Sequence, residues 1–160
     1  PHGTPTDALL EKNVFITMDF GCKLDGYCSD MTRTVCLGKA DEEMKRVYET
    51  VLSAQEAAMK KIRSGLTGKE IDAAARDLIA QAGFGECFGH SLGHGIGLKV
   101  HEAPSFSPSF EGVIPAGAVM SVEPGIYLPG KFGVRIEDLV VVREDGFENL
   151  NTSSKLLLEL

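Results

Sequence analysis

Between positions 88 and 98 every odd residue is glycine or serine and every even one is larger: Phe88, His90, Leu92, His94, Ile96 and Leu98 alternate with Gly89, Ser91, Gly93, Gly95 and Gly97. So many glycines rule out a stable helix, and a period of two predicts an extended strand with one bulky and one tiny face. On such a strand His90 and His94 project from one face about 13 Å apart, four residues at ~3.3 Å each. They cannot share one ion as a helical i,i+4 pair does, so one is a candidate ligand and the other a candidate substrate contact. His101 follows beside Glu102, which puts three of the four histidines within twelve residues.

Around this segment the pattern is that of an antiparallel α+β domain. Residues 14–20 and 27–37 read as two strands, with Gly21, Asp25 and Gly26 supplying the turn between them. A helix is predicted over 41–63, where Met44, Val47, Tyr48, Val51, Leu52, Ala58, Met59 and Ile62 recur at three- and four-residue steps. Acidic residues open it, basic ones close it, and Gly65 stops it. A second helix opens with the capping box of Thr67 and Glu70 and closes before Gly83. Both helices read as packing elements. Short strands and glycine-rich connections then run to about Arg143, without the βαβ alternation of a parallel sheet.

Composition removes several classes of function. A chain that is 43% hydrophobic and 24% charged is not of the disordered type. A net charge of −7 speaks against general binding to nucleic-acid phosphates, and no apolar run approaches the ~18 residues of a membrane span. The four cysteines, Cys22, Cys28, Cys36 and Cys87, form no CxxC pair. They read as reduced thiols of a cytoplasmic protein.

Four carboxylates stand where strands should be buried. Asp19 lies in the first apolar strand and Asp30 on its partner. A turn centred on Leu24-Asp25 places the two directly opposite, and one centred on Asp25-Gly26 places them diagonally. Directly opposed like charges destabilise a sheet, and a cation between them reverses that sign; two solvated acids at a strand end are the plainer alternative. Glu123 ends the apolar run 119–122. Glu137 sits within a predicted strand over 134–142, with Arg135 two residues earlier on the same face. Four carboxylates and one imidazole suit a pair of divalent ions such as manganese, cobalt or zinc, whose charge would balance the four acids.

These positions fall in strings that resemble one known family. Asp19-Phe-Gly, Ser29-Asp-Met-Thr-Arg-Thr34, Gly89-His-Ser-Leu-Gly-His-Gly-Ile-Gly97, Val100-His-Glu-Ala-Pro104, Val122-Glu-Pro-Gly-Ile-Tyr127 and Val134-Arg-Ile-Glu-Asp138 resemble the motifs of the pita-bread metallopeptidases. That group includes Xaa-Pro aminopeptidase, prolidase and methionine aminopeptidase, and the strings look most like its proline-specific branch. The resemblance runs over essentially the whole chain. It implies a partial pita-bread fold over 1–160, with a curved antiparallel sheet and flanking helices. It also implies two divalent ions, manganese or cobalt ahead of zinc or iron, held by Asp19, Asp30, His94, Glu123 and Glu137, with Asp30 and Glu137 bridging.

The implied activity is hydrolysis, by a metal-bridging hydroxide, of the peptide bond preceding proline in Xaa-Pro dipeptides or at peptide N-termini. Glu123 would move the proton, His2, His90 and His101 would face the substrate, and Arg135 would orient Glu137 or a substrate carboxylate. The implied partner is a peptide with proline second, with no nucleic acid or membrane, and a homodimer is expected for a full-length parent. Relatives carry an N-terminal domain and part of the catalytic fold ahead of the segment matching Pro1. The 160 residues alone are therefore expected to fold marginally or self-associate and to show little activity, with His2 on a mobile end. The alternatives are a non-catalytic binding module, a methionine aminopeptidase and a metal-free amidinohydrolase resembling creatinase.

Overall fold

A single hairpin register organises the first third of the chain. The computed structural model describes residues 1–4 and 6–160. In it β1 (Val14–Phe20), β2 (Lys23–Leu24), β3 (Tyr27–Cys28) and β4 (Met31–Leu37) form one long antiparallel ribbon, in which Val14 faces Leu37, Asp19 faces Thr32 and Leu24 faces Tyr27. Asp25 and Gly26 are the two residues of the turn, and both have left-handed φ, 50° and 91°. That conformation matches the twist of a tight hairpin and favours an Asp-Gly pair. The turn is thus centred on Asp25-Gly26, which sets Asp30 diagonal to Asp19.

The helices form as the sequence predicts, to within a residue or two at their ends. In α1 (Glu42–Lys61) the Asp41 carboxylate accepts the Met44 N–H at 2.8 Å, and in α2 (Gly68–Gln81) Thr67 and Glu70 make the reciprocal capping box. Their apolar stripes pack against each other and bury Val47, Tyr48, Val51, Ala58, Ile71, Ala75 and Ile79. Five strands lie in a second sheet: β5 (Gly93–Gly95), β6 (Glu102–Phe106), β7 (Val119–Val122), β10 (Asp138–Val142) and β11 (Phe147–Asn149). Their order is β11-β10-β7-β5-β6, every pairing between them is antiparallel, and β8 (Gly125–Leu128) and β9 (Phe132–Arg135) form a separate hairpin. The architecture is α+β, a partial pita-bread domain. No helix among the described residues is long and apolar enough to cross a membrane.

Three predicted strands are shorter than their patterns, and the one over 27–37 breaks at Ser29-Asp30 between β3 and β4. The alternation over 88–98 yields only the three residues of β5, preceded by a 3₁₀ turn at Gly85–Cys87 and bent by an irregularity between His94 and Gly95. Its small residues mark close backbone approach rather than an open face: a Cβ on Gly93 would lie 1.9 Å from the Ser121 carbonyl oxygen. The run 134–142 is likewise divided. Its first part pairs with β8 and its second with β7, and Ile136 and Glu137 occupy the break.

The last ten residues are structural. The Cys36 N–H donates to Leu158 O, and the Leu160 N–H donates back to Cys36 O, both at 2.9 Å, so the C-terminus lines the outer edge of β4. Tyr48 donates to Lys155 O, and Arg33 donates to Ser153 O and Ser154 O.

Candidate metal centre

The three carboxylates nearest His94 sit at interruptions between strands. Asp30 lies between β3 and β4, Glu123 between β7 and β8, and Glu137 between β9 and β10. A regular strand sends successive side chains to opposite faces. Where the chain leaves one ladder for another, a side chain is released to point elsewhere, here into a cavity of about 960 Å³. All nine residues singled out from the sequence line it: His2, Asp19, Asp30, His90, His94, His101, Glu123, Arg135 and Glu137.

Within the cavity, one ligating atom from each of Asp30, His94 and Glu137 lies within 4.8 Å of the others. His94 Nδ1 is 3.0 Å from the Gly95 carbonyl oxygen, which only accepts, so Nδ1 carries a proton and Nε2 faces the acids. Nε2 lies 3.1 Å from Glu123 Oε1 and 3.9 Å from Asp30 Oδ2. Ser121 ties the two elements together, accepting the His94 N–H and donating to Glu123 Oε1, each at 2.9 Å. Thr32 donates to Glu137 Oε2 at 2.7 Å, while Glu137 Oε1 is buried with no hydrogen-bond partner among the described residues.

The electrostatics are those of a crowded acid cluster. Burial, followed by repulsion from Glu123 and Asp30, pushes the Glu137 carboxyl up to about 8. Burial, followed by Asp19 and Glu123, raises Asp30 to about 6. Burial opposes the charge of His94, but its hydrogen bonds to Glu123 and Gly95 outweigh that and lift the imidazole to about 9. Burial likewise works against the Glu123 carboxylate, and the His94 and Ser121 hydrogen bonds hold it below its usual range. Acids raised by burial and then by mutual repulsion, together with an orphaned buried carboxylate oxygen, fit a cation. Oxygen donors with one imidazole suit a hard or intermediate divalent ion.

Of the two roles expected for Arg135, orienting Glu137 is not the one its geometry gives. It makes no hydrogen bond or ion pair with Glu137. Its Nη2 donates to Asp19 Oδ2 at 2.7 Å, its Nε donates to Thr32 Oγ1 at 3.1 Å, and its Nη1 donates to Tyr127 OH and to Pro1 O, each at 3.1 Å. Arg135 ends β9 and Glu137 lies in the break that follows it, and Thr32 is the group that touches both. His101 packs beside His94, the rings tilted and their centroids 4.3 Å apart. His90 Nε2 meets Tyr127 OH at 2.9 Å. His2 lines the cavity on the segment that Arg135 holds through Pro1 O.

Thr32, Ser121 and Tyr127 were not assigned roles from the sequence. For Thr32 a signal existed: Thr32-Arg33-Thr34 is a polar run inside a strand, and all three side chains are buried. Such a run requires polar partners in the interior. Ser121 and Tyr127 carried no signal of their own, since serine and tyrosine are common in strands.

The sequence profile of metallopeptidase family M24 matches residues 1–144. The chain is 46% identical over 160 residues to an uncharacterized peptidase, YqhT, of Bacillus subtilis, covering all of this chain and 45% of that protein. It is 43% identical over 158 residues to a Xaa-Pro dipeptidase of Pyrococcus horikoshii, covering 99% and 45% of the two. Among solved structures, the X-Pro aminopeptidase of Thermotoga maritima superposes with a TM-score of 0.97 at 48% identity, over the whole of this chain and 45% of that one. The Xaa-Pro dipeptidase of Bacillus anthracis superposes with a TM-score of 0.98 at 47% identity, with the same coverage. The chain thus spans a little under half the length of these relatives.

Proposed function

This chain belongs to metallopeptidase family M24, and on that premise we propose that it carries the metal-holding core of a peptidase that cleaves the bond preceding proline, in Xaa-Pro dipeptides or at the N-terminus of longer peptides. The observation that carries the reading is the convergence of Asp30, His94 and Glu137, with one Glu137 oxygen buried and without a partner among the described residues, in a cavity of about 960 Å³. The relatives named for Xaa-Pro cleavage support the substrate class.

The residues that would hold two divalent ions are Asp19, Asp30, His94, Glu123 and Glu137. Manganese and cobalt suit this donor set, as do zinc and iron. Such ions supply an acidified water and polarise a scissile carbonyl. The chain's own groups do the rest. Glu123, fixed by Ser121, carries the proton from the attacking side to the leaving nitrogen. His101 and His2 donate hydrogen bonds to the developing tetrahedral centre. His90, with Tyr127 behind it, lines the proline side. Arg135 positions Asp19 and Tyr127 rather than Glu137.

The test is hydrolysis by the protein carrying this sequence, stripped of metal and reloaded with manganese, cobalt or zinc, on Xaa-Pro dipeptides, Xaa-Pro-Xaa tripeptides and Xaa-Ala controls. Metal-dependent cleavage confined to the proline series supports the reading. Equal cleavage of the alanine series, or rates indifferent to metal, contradicts it.

A further inference from the structure

Helix α2 reaches the cavity through one ion pair. Asp72 and Arg76 are one helical turn apart, the Asp72 side chain is 1% exposed, and the pair is bidentate, with Arg76 Nε to Asp72 Oδ2 at 2.7 Å and Nη2 to Oδ1 at 2.9 Å. A surface i,i+4 pair contributes little, but this one does not stop at itself. Arg76 Nη1 donates to Phe88 O at 3.0 Å, Nη2 donates to His90 O at 2.8 Å, and Asp72 Oδ1 accepts the Leu92 N–H at 3.0 Å. The guanidinium also covers the Phe88 ring, 4.2 Å from its centroid. Three alternate residues of one loop are therefore pinned by two side chains of one helix.

The middle residue of that loop is His90. Its Nδ1 lies 2.8 Å from Ser91 O, which only accepts, so Nδ1 carries the proton. Arg135 donates to the Tyr127 hydroxyl, which leaves that hydroxyl's own proton for His90 Nε2 at 2.9 Å. A neutral His90 is therefore held as the Nδ1–H tautomer, with Nε2 accepting. The tautomer depends on the turn that brings Ser91 O back to its own neighbour's ring. That turn is the part of the loop that Arg76 and Asp72 grip.

We propose that the Asp72–Arg76 pair is a positioning device for His90, fixing the backbone of residues 88–92 so that the imidazole keeps one tautomer and one direction in the cavity. The pair itself touches no metal candidate; the loop it grips meets one at main-chain level, where Leu92 O accepts the Glu123 N–H at 2.7 Å, so its first effect falls on His90. Its consequence for peptide cleavage rests on the peptidase reading above; its consequence for His90 does not.

The experiment compares the parent chain with Arg76→Met, which keeps the cover over Phe88 but loses every donor, and with Asp72→Asn, which keeps an acceptor for Leu92 but loses the charge. Nitrogen-15 spectra of the histidine rings above neutral pH, metal-free and zinc-loaded, report the His90 tautomer. Amide exchange reports Leu92, and calorimetry reports zinc affinity. In Arg76→Met, His90 is expected to divide between both tautomers, and the Leu92 amide to exchange faster by about tenfold or more. Zinc affinity is expected to stay within about threefold of the parent. Asp72→Asn should lie between the two.

In the protein carrying this sequence, kcat/KM on Xaa-Pro peptides should fall by roughly tenfold to a hundredfold, mostly through KM. A folded Arg76→Met chain with an unchanged His90 tautomer and unchanged Leu92 protection overturns the proposal. So does a zinc affinity that falls as far as kcat/KM. Should Arg76→Met fail to fold, Arg76→Lys keeps the charge beside Asp72 but offers one ammonium for two carbonyls, and the same spectra decide. If the unsubstituted protein cleaves no Xaa-Pro peptide, the peptidase reading falls while the tautomer and exchange measurements still judge the clamp.

Discussion

Glu137 and Asp138 follow one another in sequence, and both carboxylates are removed from water. Asp138 is surrounded by donors: Arg33 at 2.7 Å, Lys155 at 3.0 Å, and Gln55 and Asn149 at 3.2 Å each. Burial works against its charge, and these partners nevertheless hold its carboxyl below the ordinary range. Glu137, the preceding residue, has one hydrogen bond from Thr32 and one oxygen with no partner among the described residues. The difference separates structure from chemistry. The site of Asp138 is completed by this chain. That of Glu137 is left for something positively charged that the chain does not supply, and Arg33, which also donates to Glu137 O, braces the backbone between them.

The largest effect should come from breaking the completed site. Asp138→Ala leaves the buried Arg33 and the partly exposed Lys155 without their anion, and truncating one partner of a buried pair typically costs about 3–5 kcal/mol. Chemical denaturation of the metal-free chain should show that loss. The matching change next door should do the reverse: Glu137→Gln resembles the uncharged form that the raised carboxyl already favours near neutral pH, so metal-free stability should hold or rise, while affinity for manganese falls by about a hundredfold or more. Equal destabilisation by the two variants would erase the distinction.

Acidity sharpens the comparison, because the neighbours bend stability in opposite directions. The Glu137 carboxyl is raised from 4.5 to about 8, so its contribution is fully present below 4.5 and is lost as pH rises through 8. The His94 imidazole, raised from 6.5 to about 9, adds a loss in the same direction over its own range. Asp138 is lowered from 3.8, so its contribution is present above 3.8 and disappears as pH falls below it. Thermal melts of the metal-free chain should therefore decline from mildly acidic to mildly alkaline pH, and a saturating divalent ion should remove that decline. A metal-free melting temperature that rises over this range contradicts the assignment.

Smaller effects test the margin. His90→Ala should leave metal binding unchanged and weaken Xaa-Pro cleavage; loss of metal would mean that His90 and His94 have exchanged roles. Thr32→Val removes single hydrogen bonds to Glu137 and Arg135, at a cost of about 1 kcal/mol. It should also lower metal affinity by roughly tenfold.

The same contrast explains what could be read from the sequence. The helices were legible to their caps, because Asp41, Thr67 and Glu70 act within a few residues of where they stand. The acids were legible too, since a carboxylate among valines needs a reason wherever the chain goes. Strand lengths over 88–98 and 134–142 were not. Glycines spaced for close contact with β7 imitate the alternation of a long strand, and a run of valines does not announce that the chain changes ladders at Ile136-Glu137. Long-range partners were equally hidden. Nothing near Arg135 says that it turns to Asp19, and nothing near Asp138 points to Lys155. α2 looked like packing because its ion pair grips main-chain atoms, which leave no mark in a side-chain pattern.

Elemental analysis of the chain and of Glu137→Gln, each saturated with manganese and freed of excess, tests the central claim most directly. Two ions per chain in the parent, and none in a variant whose metal-free melting temperature has not fallen, is the predicted result. A Glu137→Gln chain that retains both ions would show that the unpartnered oxygen of Glu137 is not what holds them.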